Sequence, residues 1–499
     1  MNYTGTRGAC RVSASLAITQ GIASDGGLFV PEYFPQFQEG ELTRLVGMDY
    51  RGRARTILEK YLTDFPKAEL EECVSKAYRG TFDDDDPAPL REIDGNTFLL
   101  DLWHGPTCAF KDLALQLLPH LLTKAARRTM PEKEIVILVA TSGDTGKAAL
   151  EGFADVPGVR IIVFFPENGV SAIQKLQMTT QTGNNVCVCA IKGNFDDAQT
   201  GVKSIFSDQK MASEMAAHGL AFSSANSINF GRLVPQIVYY VSAWCDLMKT
   251  GRLKPGTPFN VAVPTGNFGN ILAAVYAKRM GLPIARFICA SNRNRILTDF
   301  ISTGVYDRNR EFYVTTSPSM DILISSNLER MLYHLHGGDC SEVARLMTEL
   351  KTQGRYEISR ERLTELQSEF WGGFCDDARA AAAIKKLFAE RKMLCDTHTA
   401  VAVDVLEEYR KETLDTAPCV IASTASAYKF APAVLPAIYD GQIPGDGFAI
   451  IQKLSQVTGT PVPPPLAGLN TRPVRHASCI EKTAMADFIA EKLFKQRLP

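Results

Sequence analysis

Thr97-Phe-Leu-Leu-Asp-Leu-Trp-His-Gly-Pro-Thr-Cys-Ala-Phe-Lys-Asp112 passes through three kinds of local structure in one short stretch. Thr97 to Trp103 is an apolar run of strand length. His104, Gly105 and Pro106 then read as a turn. From Leu113 to Arg128 the spacing of Leu113, Leu117, Leu118 and Leu121 places four leucines on one helical face. Pro119 inside that pattern predicts a kink or a restart. Lys111 stands where strand, turn and helix meet. A lysine at a helix start is commonly a solvated surface group. A cation in a helix's first turn opposes the macrodipole, however, and a desolvated lysine loses its proton easily and can form a Schiff base. Loops elsewhere must decide between the two readings.

Outward from Lys111 the chain alternates. Apolar runs at Glu134–Ala140, Val159–Phe165, Val186–Ile191, Gly219–Ser223, Phe259–Val263, Ile284–Ala290 and Cys419–Ala422 predict strands. Helical patterns separate them, at 145 onward, Val170–Gln181, Phe195–Ser207, Phe230–Lys249, Phe268–Met280, and from Thr397 and Tyr428. Near-continuous apolar strands divided by helices predict an α/β fold with parallel sheets covered on both faces. Such sheets bind ligands beyond the C-terminal ends of their strands. Residues 339–392 interrupt the alternation and read as a charged helical insertion. Ile480–Gln496 reads as a terminal amphipathic helix. Before the alternation, helices are expected at Arg51–Leu62 and from Pro66, and Asp25-Gly-Gly-Leu-Phe-Val-Pro31 as a turn feeding a short strand. The acidic run Asp83–Asp86, followed by Pro87 and Pro89, reads as a linker. The expected division is an N-terminal domain (1–95), a subdomain carrying Lys111 (96–225), a second subdomain with the insertion (226–450) and a C-terminal segment (451–499).

The 499 residues are too many for one core. A net charge of −1 gives no reason to expect a nucleic-acid partner. Twelve cysteines without a Cys-x-x-Cys pair fit free thiols in a reducing compartment. The seven histidines show no zinc spacing, so no metal is expected. With no signal-peptide pattern and no 18-residue apolar run, the expectation is a cytoplasmic protein without a membrane partner.

Four loops follow predicted strands. Thr141-Ser142-Gly143-Asp144-Thr145-Gly146 combines hydroxyls with N–H groups at a helix start, an anion site or an ordinary cap. Pro264-Thr265-Gly266-Asn267-Phe268-Gly269-Asn270 lets a phosphate approach the backbone, although it has neither Walker nor dinucleotide spacing. Asn226-Ser227-Ile228-Asn229 precedes Arg232, which is placed to assist a phosphate bidentately; a helix-start asparagine cluster is the plainer account. Ser423-Thr424 ends a strand, where a hydroxyl either caps or meets a heterocycle.

A candidate Schiff-base lysine with one phosphate loop and a second anion loop fits a pyridoxal phosphate enzyme. The whole set, in this order, resembles the threonine synthase family in its bacterial and fungal branch. The resemblance rests on His104–Asp112, Ser142–Gly146, Asn226–Asn229 with Arg232, Gly266–Asn270 and Ser423-Thr424. Thr6-Arg7-Gly8, Asp25–Leu28 and Asp396–Val401 also carry it. The chain departs from the family pattern at Cys108 and at Ser426-Ala427-Tyr428. The resemblance implies fold-type II architecture, with two parallel-sheet subdomains about a pyridoxal 5'-phosphate cleft. It implies O-phosphohomoserine as the small-molecule substrate, threonine and phosphate as products, and a monomer or homodimer. Lys111 would hold the cofactor and act as acid and base. Gly266, Asn267, Phe268, Gly269 and Asn270 would cradle its phosphate, and Thr424 would meet the pyridine nitrogen. Ser142, Gly143, Asp144 and Thr145 would hold the substrate carboxylate. Asn226, Ser227, Arg232 and Asn267 would take the substrate phosphate. A phospho-lyase or dehydratase on the same fold, or a non-catalytic ligand sensor, are the competing readings.

Overall fold

The computed structural model describes residues 1–495 apart from Ser142 and Gly169. Two sheets organise it. One has the order Phe370–Phe374, Ile284–Ser291, Phe259–Pro264, Cys419–Ser423, Thr97–Asp101, Leu90–Asp94. Only the Leu90–Asp94 edge pairs antiparallel there. The other has the order Ser478–Glu481, Val186–Lys192, Val159–Pro166, Glu134–Ala140, Leu220–Ser223, and every pairing in it is parallel. Alternate residues of each strand enter different cores. Val261 and Val263 join the core that holds helix Gly269–Arg279, and Ala262 joins that of helix Thr397–Thr413. Ile135, Ile137 and Val139 likewise face one core, and Val136 and Leu138 another. Both faces of both sheets are therefore buried, which is why these strands read as unbroken apolar runs.

Strand membership departs from chain order twice. Thr97–Asp101 pairs with Cys419–Ser423 and not with the strands up to residue 225. Ile480 and Glu481, expected to open a terminal helix, belong instead to strand Ser478–Glu481, which pairs with Val186–Lys192, and the α-helix spans Met485–Ala490 before a π-helical turn over Glu491–Lys495. The interruption at 339–392 is not wholly helical either. Phe370-Trp-Gly-Gly-Phe374 forms the edge strand against Ile284–Ser291. Five residues between two helices leave no room for a period-2 signal to register. An apolar run reports that a strand is buried, not which neighbour buries it.

Pro119 marks a restart. Helix Lys111–Leu115 ends, and helix Leu118–Thr129 begins with the proline in its first turn, where a missing N–H breaks no ladder bond. The N-terminal segment is tied to the rest. Strands Tyr3–Gly5 and Phe29–Pro31 pair antiparallel. Arg7 grips the Glu329 carboxylate through Nε at 2.9 Å and a terminal nitrogen at 2.7 Å. No helix among the described residues is long and apolar enough to cross a membrane.

His334 gives this fold a testable acid sensitivity. Its Nε2 lies 2.9 Å from the Tyr276 hydroxyl, and the rings of Phe34, Tyr276 and Tyr333 surround it. Burial, helped by Arg279 and Arg330, pushes its pKa down to about 3. The unfolded chain takes up the proton near pH 6.5, so stability complete above that pH is lost as pH falls toward 3, at up to about 1.4 kcal/mol per unit. In His334→Gln this loss is absent. Between pH 7 and pH 5, wild type should therefore lose about 2 kcal/mol more than the variant in denaturant titrations.

Candidate active site

Five loops leave the C-terminal ends of parallel strands, and the residues marked out from the sequence lie in them or in the first turn of the helix that follows: Lys111, Asp144, Thr145, Gly269, Asn270 and Arg232 are on those helices. Residues 102–110 follow Thr97–Asp101, and 141–143 follow Glu134–Ala140. Residues 224–229 follow Leu220–Ser223, 265–268 follow Phe259–Pro264, and 424–426 follow Cys419–Ser423. Ser142 lies outside the described residues. The lysine loop is fixed from both ends. Asp112 accepts from the Thr107 N–H at 2.8 Å and its hydroxyl at 2.6 Å, closing the Gly105-Pro106 turn. Burial pushes the Asp112 carboxyl up to about 6, against those two donors. The Phe110 N–H donates to the Thr424 carbonyl at 2.8 Å, which sets Lys111 beside the strand end that carries Thr424.

Lys111 is 11% exposed, and its Nζ lies 3.6 Å from Asp144 Oδ2. Burial lowers its pKa; Asp144 opposes the shift, and Lys429 and Arg232 add to it. Asp144 is buried as well. Burial raises its pKa, but Lys429 and Lys111 outweigh that and hold the carboxyl well below the usual range. Its Oδ1 accepts from Lys429 Nζ at 2.7 Å and from Gln174 Nε2 at 2.9 Å. The Ser319 hydroxyl reaches Oδ2 at 3.5 Å. An ionised carboxylate held this way repels another carboxylate, so the side chain of Asp144 does not suit the carboxylate-holding role expected for it. The main-chain N–H groups of its loop remain for that task.

Helix Asp144–Phe153, which carries Asp144, touches the lysine helix at Gly152. A Cβ there would stand 2.0 Å from the Leu115 carbonyl oxygen. Gly152→Ala is expected to push the two helices apart. It should cost about 1–3 kcal/mol of stability, the range for overpacking, read as a lower denaturation midpoint.

The 317–327 segment joins two of the loops, 224–229 and 265–268, and none of its residues was marked out from the sequence. Ser325 Oγ donates to the Gly266 carbonyl at 2.7 Å. The Asn327 amide donates to the Asn267 carbonyl at 3.0 Å. Ser326 Oγ donates to Asn267 Oδ1 at 3.3 Å and lies 3.5 Å from Ser227 Oγ. A Cβ on Gly266 would meet the Ser319 carbonyl at 2.6 Å, so the segment closes here only over glycine. Lys429 and Gln174 were missed as well. Only a cluster of hydroxyl and amide residues, Ser317 to Asn327, stood in the sequence as a hint.

Two expected cradle residues turn their side chains into the core. Phe268 stacks on Phe370 with ring centroids 5.8 Å apart, and offers only its main chain, at φ 61°. Asn270 Oδ1 accepts from Tyr239 at 2.8 Å and from Tyr240. Its Nδ2 is buried without a partner among the described residues. Among the described residues, neither Asn226 nor Thr145 is drawn to another predicted site residue by a side-chain bond. Arg232 is 3% exposed, and its side chain's one bond among the described residues runs 2.6 Å to the Ala225 carbonyl. It makes no ion pair among the described residues, and its Nε has no partner. Burial pushes its pKa down to about 10, so it stays a cation at neutral pH. Buried donors left in this state are what a bound anion satisfies. With Lys111 and Lys429 on Asp144 and Arg232 close enough to act on Lys111, the residues fit an anionic cofactor and an anionic substrate.

A buried lysine with depressed basicity, served by loops from two parallel sheets, places the chain among the pyridoxal-phosphate-dependent enzymes of fold type II. The family model described as "Pyridoxal-phosphate dependent enzyme" matches residues 85–424. "Threonine synthase N terminus" matches 2–78, and "Threonine synthase, C-terminal" matches 399–489. The chain belongs to the threonine synthase family. It is 39% identical to threonine synthase of Pseudomonas aeruginosa, over 87% of this chain and 90% of that one. It superposes on the pyridoxal-phosphate-bound threonine synthase of Brucella melitensis with a TM-score of 0.86, at 37% identity and 98% coverage of both chains. It is 45% identical to human "Threonine synthase-like 1" over 85% of this chain, and the matched part spans 58% of that relative's length.

Proposed function

We propose that this chain converts O-phospho-L-homoserine and water to L-threonine and phosphate. The observation that carries the reading is Arg232, a buried cation beside Lys111 with no ion-pair partner among the described residues. A phosphorylated amino acid supplies the missing anion. The names of the relatives, threonine synthases that include the Pseudomonas enzyme, point the same way.

Pyridoxal phosphate, when bound, supplies an electron sink for bonds broken at the substrate's Cα. Lys111 holds it covalently and then takes and returns protons at Cα and the neighbouring carbons; its burial favours the free amine this needs. The main chain of Gly266 to Asn270 receives the cofactor's phosphate at the start of helix Gly269–Arg279. Thr424 offers the pyridine nitrogen a neutral hydroxyl. Ser142, Gly143 and Thr145 hold the substrate carboxylate, which aligns the Cα–H bond for removal. Arg232, with Asn226, Ser227 and Asn267, receives the substrate phosphate and stabilises it as it leaves.

Incubating the purified protein with O-phosphohomoserine and scoring products tests the reading. Threonine and phosphate in equal amounts are expected. Phosphate accompanied mainly by 2-oxobutyrate would make the chain a phospho-lyase instead.

A further inference from the structure

Lys429 is a fully buried lysine that plays no part in the reaction as described. Its Nζ donates to Asp144 Oδ1 at 2.7 Å and to the Thr107 carbonyl at 2.9 Å. The same carboxylate's other oxygen is the one that faces Lys111. Ser426 caps the short turn Ala427–Phe430 that carries Lys429, and that turn falls where the chain departs from the family pattern. We propose that Lys429 is a positioning residue: by holding one oxygen of Asp144 it shares that carboxylate between two ammonium groups and leaves Lys111 able to give up its proton. The inference rests on reading Lys111 as the cofactor lysine.

The charge inventory supports this. Facing Lys111 are Asp144 from helix Asp144–Phe153, Lys429 from its turn and Arg232 from helix Phe230–Lys249. Facing Lys429 are Asp144, together with Asp112 and Cys108 from the lysine loop; burial pushes the Cys108 thiol up to about 12, so it stays neutral. Asp144 alone would hold the proton on Lys111. A second ammonium 2.7 Å from the carboxylate offsets that pull.

The test measures Lys111 itself. The full-length, cofactor-free chain is acetylated competitively across a pH series, and the Lys111 peptide is quantified by mass spectrometry. Lys429→Met is expected to raise the pH at which Lys111 becomes reactive by at least about one unit. The rate at which added pyridoxal phosphate attaches should shift along the same pH axis, and Lys429→Arg should restore both. A Lys111 titration unmoved in a folded Lys429→Met protein overturns the proposal. If that variant does not fold, Asp144→Asn/Lys429→Met strands no buried charge and decides the matter. Lys111 titrating within about one pH unit of wild type agrees with a self-neutralising pair. A larger fall gives Asp144 sole control and rejects a role for Lys429. Failure of the underlying reading looks different: borohydride then labels a lysine other than Lys111 in the wild-type holoenzyme.

Discussion

Lys111→Ala is expected to leave a folded protein whose turnover of O-phosphohomoserine is at least roughly 10⁴-fold lower, because covalent and acid–base roles disappear together. The fold should survive for a local reason. Asp144, the ion-pair partner of Lys111, keeps Lys429 at 2.7 Å and Gln174 at 2.9 Å, so no carboxylate is left bare. Thr107 and Asp112 continue to close the turn before it. Borohydride reduction of the wild-type holoenzyme followed by peptide mapping should place the label on Lys111. The competitor to watch is Lys429, the other buried lysine on the same carboxylate. A label there, or substantial turnover by Lys111→Ala, would reassign the cofactor lysine.

The second large effect is expected from Arg232→Gln. A guanidinium grips two phosphate oxygens in a planar fork that an amide cannot reproduce. Losing a buried charged contact of this kind costs roughly 2–5 kcal/mol. On that scale kcat/KM for O-phosphohomoserine should fall by at least about thirtyfold. The free protein should not lose stability. Among the described residues Arg232 is buried with one carbonyl partner, an unpartnered Nε and no ion pair, and a neutral amide can still donate to the Ala225 carbonyl. Cofactor colour should persist, since Lys111 and the Gly266–Asn270 loop are untouched. A variant that sheds the cofactor but keeps its affinity for O-phosphohomoserine would show that Arg232 serves the cofactor's phosphate instead.

Much of the fold was legible because its signals are local. Strand Glu134–Ala140 and helices Phe195–Ser207 and Phe230–Lys249 occur at the bounds their residue patterns predict. Pro119, read as a kink or restart, falls in the first turn of a new helix. Lys111 was legible because the apolar run, the Gly-Pro turn and the leucine face around it lie within one stretch of chain. The loops at 141, 226, 265 and 424 were legible as strand ends, because a parallel sheet puts its ligand-binding loops there.

Partners were not legible. Nothing within Thr97–Asp101 says that it lies beside Cys419–Ser423, and nothing within Ser478–Glu481 names Val186–Lys192. Phe268 and Asn270 read as ligand contacts because their loop is glycine-rich, yet their side chains turn to Phe370 and to Tyr239 and Tyr240. Asp144 read as part of an anion cradle. Its side chain is held by Lys429, which reaches it only because Cys419–Ser423 and Glu134–Ala140 deliver their following turns to one cleft. By itself the sequence determined most of the strands and helices of the two sheets' alternating segments, though not the strands Phe370–Phe374 and Ser478–Glu481, and which lysine opens the helix after a strand and turn, since these follow from side-chain period and turn chemistry over a few residues. Only the tertiary structure decided strand partners, the shared carboxylate and the unpaired arginine. Those depend on groups far apart in the chain meeting where water is excluded, and no local pattern records such a meeting.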